Sequence, residues 1–503
     1  MHDQKVEDFL QYVKEINHYN EAVSTMYWDL RTGAPKKGVD QRSEVIGTLS
    51  TVAFQMATSD KMKGYLNDLL QEDRFATLDR RTQRMVEVAK EEYDRSKKIP
   101  QDRYQAFVVL TSKAESVWEE AHHADDFPAF QPYLEKIVEM NQEFLQYWGY
   151  ETNPYNTLLD QYEKGMTVEQ VDPIFKSLRE ATIHLLQRIQ NEGTEPRYDF
   201  LHREYPIAQQ EELSRYLLQE IGYDFVAGRL DESLHPFTIT LNSHDVRITT
   251  KYIPNDLFSA IGSTVHEGGH ALYEQNIAEE LLGTNLAGGT SMGVHESQSR
   301  FWENIIGRSQ MFWKTYFPHV QSLFPVQLGD VNAEEIYRAL NRVQPSLIRV
   351  DADELTYNLH IMVRYELEKD LINGELKVKD LPELWRAKMK EYLGVEPTTD
   401  REGVLQDVHW SGGSFGYFPT YTIGNIYSAQ LAHRLEEELG SLDQLIADQR
   451  LTEIRQWLTE HIHRHGKMLP PAELIRQATG EAINSQYLIH YLTKKYQDVY
   501  QFN

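Results

Sequence analysis

No cysteine occurs in the 503 residues. Disulfides, thiolate nucleophiles and cysteine-ligated metals are excluded together. A transition metal here would have to be held by His nitrogens and carboxylate oxygens. A chain of this length buries a large core without cross-links. Long apolar runs are also missing: no stretch of about 18 apolar residues occurs, so no membrane-spanning helix is expected. The opening MHDQKVEDFLQYVKEI is polar and amphipathic, without the charged-then-apolar order of a secretory signal. The expected location is the cytoplasm. Positive charge is scarce, with 51 Lys and Arg against 77 Asp and Glu, a net charge of −26. That balance argues against nucleic acid as a partner, because phosphates would be repelled. It leaves open the sign of charge inside a cleft.

Strand-like alternation is equally sparse. The one good candidate is the β-branched stretch 237–252, FTITLNSHDVRITTKY. Helical spacing dominates the remainder. In the stretch Val6 to Tyr27, Phe9, Leu10, Val13 and Ile16 recur at intervals of three and four. Comparable stripes run over 82–93, 104–122, 130–147, 168–190, 208–221, 333–344, 355–372, 423–438 and 451–461. Glycine and proline mark loops at 33–38, 283–293 and 411–419. No repeat, linker or compositional break divides the chain. The expectation is a mostly α protein: one domain over 1–503, with two lobes around a deep groove and a small β-sheet near 237–252.

Within IGSTVHEGGHALYEQN stands His266-Glu267-Gly268-Gly269-His270, an H-E-x-x-H motif. Four residues apart on a helix, both imidazoles reach one ion from the same face. Glu267 lies beside them, placed to accept a proton from a water. Asn255 or Asp256 is the expected cap, and Leu257, Phe258, Ile261, Val265 and Leu272 form the apolar stripe. Two adjacent helical glycines each cost about 1 kcal/mol relative to Ala. Their use would be to admit another backbone or a substrate.

A hydrolytic metal needs a third protein ligand and an open position. Glu296 lies 26 residues beyond His270 and opens a second helix striped by Phe301, Ile305 and Ile306. His295 is the rival, about 100° around the helix axis. A plain i,i+4 surface pair of Glu296 with Arg300 is the other alternative. Two His and one Glu form a known hydrolytic zinc set, which favours Glu296. His461, His463 and His465 alternate at a helix end, a spacing that does not converge on one ion. His122 and His123 sit in a charged surface stretch.

These motifs resemble the thermostable carboxypeptidase (carboxypeptidase Taq) family of helical zinc peptidases, related in fold to neurolysin and angiotensin-converting enzyme. The H-E-x-x-H run continues as ALYEQ, and H-E-S-Q stands at His295 to Gln298. His235-Pro236-Phe237 precedes a D-x-R-x-T pattern at Asp245 to Thr249. I-R-x-x-A-D stands at Ile348 to Asp353, G-x-x-Q-D-x-H-W at Gly403 to Trp410, and G-Y-F-P-T-Y-T at Gly416 to Thr422. WDLRTGAPKKGVDQRSE from Trp28 and YNTLLDQYEKGMT from Tyr155 are similar too. The resemblance covers most of the chain. It implies a metallocarboxypeptidase of broad specificity that acts on peptides with a free C-terminus and assembles as a homodimer. It further implies Zn2+ on His266, His270 and Glu296, with Co2+ or Mn2+ able to substitute, and Glu267 as general base and acid. By analogy with the related peptidases, His409 and Tyr421 would stabilise the oxyanion. Arg247 or Arg349 would read the substrate carboxylate through a bidentate fork, with Asp245 and Tyr417 beside the substrate. Ordinary salt bridges to Asp245, Asp351 or Asp353 are the alternative use of the two arginines. An endo-oligopeptidase with the same metal core is the rival activity.

Overall fold

The computed structural model describes residues 3–502. Met1, His2 and Asn503, the ends of the unit expected over 1–503, lie outside the described residues. The expected helical stretches fall in helices, that at 333–344 only as far as Leu340. Six helices frame the site: α1 (Gln4–Thr32), α2 (Leu257–Gln275), α3 (Met292–Arg300), α4 (Glu354–Asn373), α5 (Pro419–Leu439) and α6 (Gln486–Tyr500). The chain is mostly α with one small sheet, as the sequence predicts.

Three boundaries differ from expectation. The stripe at 333–344 stops as a helix at Leu340, because the Asn341 side chain turns back onto the Tyr337 carbonyl and Pro345 follows shortly. The stretch 237–252 is two antiparallel strands, β2 (Thr238–Asn242) and β3 (Asp245–Thr250). A further strand, β1 (Gly228–Glu232), pairs parallel to β3, giving the order β1-β3-β2. Finally, the second helix of the metal motif does not run on through Ile306. Its α-helical part ends at Arg300, and Phe301–Ile306 form a π-helical turn.

The central helices are buried on nearly every side. In α4, residues 354–365 are all buried, and α5 is similarly enclosed. A helix apolar all round belongs in the middle of a large core. The main hydrophobic cluster spans from Ala114 to Tyr500. A second, smaller cluster joins α1 to helices Asp60–Leu69 and Arg80–Lys98 and to residues 277–286.

Candidate active site

Asp256, rather than Asn255, caps α2 by accepting the Ser259 N–H at 3.0 Å. The helix then runs unbroken through the paired glycines. A β-carbon on Gly269 would lie 2.6 Å from the Gln298 carbonyl oxygen and from the Ser299 Cα. On Gly268 it would meet the Leu218 and Ile221 methyls at 2.8 and 2.9 Å. The glycines therefore admit neighbouring helices, and α3 crosses α2 backbone to backbone. That crossing carries Glu296 up to the His pair.

His266 and His270 have ring centroids 4.9 Å apart. Glu296 Oε2 lies 3.9 Å from His266 Nε2 and 3.6 Å from His270 Nε2. One ligand atom from each of the three residues lies within 4.8 Å of the others. Bonds of about 2.0–2.2 Å in tetrahedral geometry place ligand atoms roughly 3.3–3.6 Å apart. The Glu296 separations lie at or a few tenths of an ångström above that range, so the set suits a small divalent cation by donor type and near-tetrahedral reach.

The partners behind these three residues are equally specific. His266 Nδ1 lies 2.8 Å from Glu303 Oε2, and Glu303 also accepts from Arg300 at 3.2 Å and Arg308 at 3.1 Å. Burial alone would raise Glu303, but Arg300, His266 and Arg308 together hold it well below the usual carboxylate range. His295, the rival ligand, faces the back of His270 instead: the two Nδ1 atoms are 2.7 Å apart, and His295 Nε2 is 2.9 Å from Glu274 Oε1. With His270 Nε2 turned to Glu296, the partners assign an Nδ1–H on His270 donating to His295 and an Nε2–H on His295 donating to Glu274. The pair of Glu296 with Arg300 also exists, 2.7 Å from Arg300 Nε to Oε1, which leaves Oε2 for the His side.

Glu267 is buried and accepts a hydrogen bond from the Thr238 hydroxyl at 2.6 Å, so β2 fixes its rotamer. Burial pushes its carboxyl up. His266, Glu267, Glu296, Arg349 and Tyr421 line one cavity of about 780 Å³. His409 and Tyr417 pack behind Tyr421, with His409 Nε2 at 3.4 Å from its hydroxyl. Burial pushes His409 down to about 4, so its ring is neutral at pH 7.

The two arginines separate. Arg349 sits in the cavity wall, but its partner is neither Asp351 nor Asp353: Asp407 Oδ1 accepts from Nε at 2.9 Å and Nη2 at 2.8 Å. Asp353 is occupied as the cap of α4. Asp407 Oδ2 accepts from buried Arg364 at 2.6 Å. Asp407 is thus shared by two guanidiniums, one of them in the cavity wall. Arg247 lies around a different concavity with Trp28, Arg42 and Arg229, its fork bonded to both oxygens of Asp245 at 2.7 and 2.6 Å.

Sequence reasoning missed several supports. Glu303 was legible as a carboxylate seven residues past Glu296 on the same helical face, and Glu274 as one four residues past His270. His463, set aside at the sequence level, bonds Gln298 Oε1 at 2.9 Å through Nε2 and so braces α3; burial pushes it down to about 3. Glu163, inside the motif that starts at Tyr155, accepts the Gly293 N–H at 3.0 Å under the first turn of α3. Glu368 accepts from Tyr155, from Trp410 at 3.0 Å and from the Gly416 N–H at 3.1 Å, which anchors the loop bearing His409 and Tyr417.

A cavity among buried helices, an H-E-x-x-H helix crossed by a Glu-bearing helix, and an arginine in the cavity wall point to a metallopeptidase class. The carboxypeptidase Taq (M32) metallopeptidase family matches residues 8–496. Carboxypeptidase 1 of Bacillus subtilis is 51% identical over 493 residues, 98% of each chain. Thermostable carboxypeptidase 1 of Thermus thermophilus is 40% identical over 505 residues, again 98% of each. The crystal structure of an M32 carboxypeptidase from Deinococcus radiodurans, 38% identical, superposes with a TM-score of 0.96 over 99% of this chain and 100% of that one. The chain belongs to the carboxypeptidase Taq (M32) family of metallocarboxypeptidases. Among the described residues, no helix is long and apolar enough to cross a membrane.

Proposed function

We propose that this enzyme is a zinc carboxypeptidase of broad specificity, with His266, His270 and Glu296 holding the ion and Glu267 moving the proton. A divalent cation held by these residues would supply Lewis acidity and would lower the pKa of a water toward about 7. Glu267 takes the proton of the attacking water on its carboxylate and returns it to the leaving amine nitrogen. Its bond from Thr238 supports that role, because it fixes the carboxylate while leaving an oxygen free. Tyr421, steadied by His409 and Tyr417, presents a hydroxyl that burial keeps protonated, suited to the developing oxyanion.

The observation that carries the reading is Arg349 in the same cavity as His266, Glu267 and Glu296. Its permanently charged guanidinium suits a free carboxylate at the end of a peptide. Arg247, already paired with Asp245 beside Trp28, is assigned to shaping the neighbouring wall. The reading takes one helical domain with lobes around the groove, working as a cytoplasmic homodimer; light scattering checks the dimer at twice the chain mass. Co2+ and Mn2+ suit the same donor set.

The test is mass spectrometry of a peptide digested with Zn2+-loaded enzyme, in free-acid and C-terminally amidated forms. A ladder of C-terminal truncations from the free acid alone supports the proposal. Internal cuts in both forms would establish the endopeptidase reading.

A further inference from the structure

The helix that carries Glu296 changes character where it meets Glu303. Residues Phe301–Ile306 form a π-helical turn, closed by the Gly307 N–H on the Trp302 carbonyl at 2.8 Å. Such turns are rare and persist where something outside the helix holds them. In an unbroken α-helix, Glu303 would fall about 20° from Glu296 around the axis. Both carboxylates would then approach His266 from one side. The wider turn lets Glu303 lag behind, so it meets Nδ1 at 2.8 Å while Glu296 faces Nε2.

The clamp on this turn comes from the far end of the chain. Tyr491 of α6 donates its hydroxyl to the Asn304 carbonyl at 2.9 Å. Lys495, one turn later, reaches the same carbonyl at 3.4 Å, donates to the Tyr491 hydroxyl at 2.9 Å, and pairs with Glu354 Oε2 at 2.6 Å. Lys495 and Glu354 are 8% and 9% exposed. A buried ion pair recovers little more than its desolvation cost, so its presence is poorly explained by stability. Here it fixes a geometry: the ammonium is tied to the start of α4 on one side and to the open carbonyl of the π-turn on the other.

We propose that Tyr491 and Lys495 are positioning residues for the metal: they hold the Asn304 carbonyl, keep the π-turn open, and so keep Glu303 against His266. The inference rests on His266 being a ligand, as proposed above. Removing a group that orients a metal-binding His costs 10–100-fold in affinity as a rule.

The experiment measures Zn2+ affinity of the full-length protein by competition with a chromophoric chelator. Tyr491→Phe deletes one hydroxyl and keeps the ring, so it folds even if Lys495→Met, which strands Glu354, does not. Val499→Ala, at a buried site two turns further along α6, controls for general loosening of the helix. His266→Ala controls for the ligand assignment. The expected result is an affinity about 10-fold weaker in Tyr491→Phe, unchanged in Val499→Ala and abolished in His266→Ala. Wild-type affinity in Tyr491→Phe, with His266→Ala empty, overturns the clamp and leaves the metal assignment standing. Equal weakening in Val499→Ala also overturns it. Retention of Zn2+ by His266→Ala overturns both.

Discussion

Gly424 of α5 lies directly against Glu296 of α3: a β-carbon at 424 would sit 2.7 Å from the Cβ of Glu296. The third candidate ligand is therefore pressed toward the His pair by a neighbouring helix. Gly424→Ala has to push α3 aside, at about 1–3 kcal/mol of overpacking strain. The expected outcome is a protein that still folds but binds Zn2+ at least about 10-fold more weakly, read by chelator competition together with a thermal melt.

Glu267→Gln keeps the shape of the side chain and its bond from Thr238. Metal content and melting temperature should match the wild type. Turnover should drop by on the order of 10²–10⁴, the range for a lost general base. A residual rate within about 3-fold of wild type would remove Glu267 from the proton transfer.

Arg349→Lys retains the charge and loses the fork that Asp407 orients. The predicted signature is a KM raised about 10-fold or more for free-acid peptides, with kcat changed much less. Arg247→Lys should leave that KM near wild type, since Arg247 lines a separate concavity.

Two buried carboxyls make stability depend on pH. Burial raises Glu163 and Glu368 from 4.5 to about 7. Glu163 faces Tyr427 and the Gly293 N–H; Glu368 faces Tyr155, Trp410, the Gly416 N–H and, further off, Arg364. Between pH 4.5 and 7 the folded chain holds protons here that the unfolded chain has released. Their contribution is thus largest at the acid end, falls as pH rises toward 7, and is flat above it. Each is worth on the order of 3 kcal/mol across that window. Glu163→Gln and Glu368→Gln should each flatten the corresponding slope in denaturant melts at pH 5, 6 and 7.

Dialysis against a chelator should abolish hydrolysis, and added Zn2+ or Co2+ should restore it. The melting temperature should fall with metal removal, because an ion that binds only the folded state stabilises by mass action.

Much of the site is written in short-range spacing. His266 and His270 sit four residues apart on a capped helix with Glu267 between them, so one turn of geometry joins all three. Glu296 was reachable because a glycine-rich loop and a second apolar stripe imply a helix folded back. Partners across the chain were not reachable in that way. Asp351 and Asp353 are near Arg349 in sequence, yet Asp407 takes its fork, because the loop after Gly403 packs against the turn at Arg349–Asp351, where Gln406 also accepts the Arg349 N–H. Strand β1 escaped notice because GRLDE is short and charged, and holds to the sheet through its parallel pairing with β3. The π-turn at 301–306 leaves no periodic trace; its cause lies in Tyr491 and Lys495, nearly two hundred residues away.

The contact of Gly269 with the backbone at Ser299 fixes how far the His-bearing and Glu-bearing helices stand apart. That distance limits how far the three candidate ligand side chains can be drawn apart. Calcium, which seeks six to eight oxygens at roughly 2.3–2.6 Å, would have to pry the two helices open and would find too few oxygens between them. If these residues hold the ion as proposed, discrimination against large cations would be set when the helices dock.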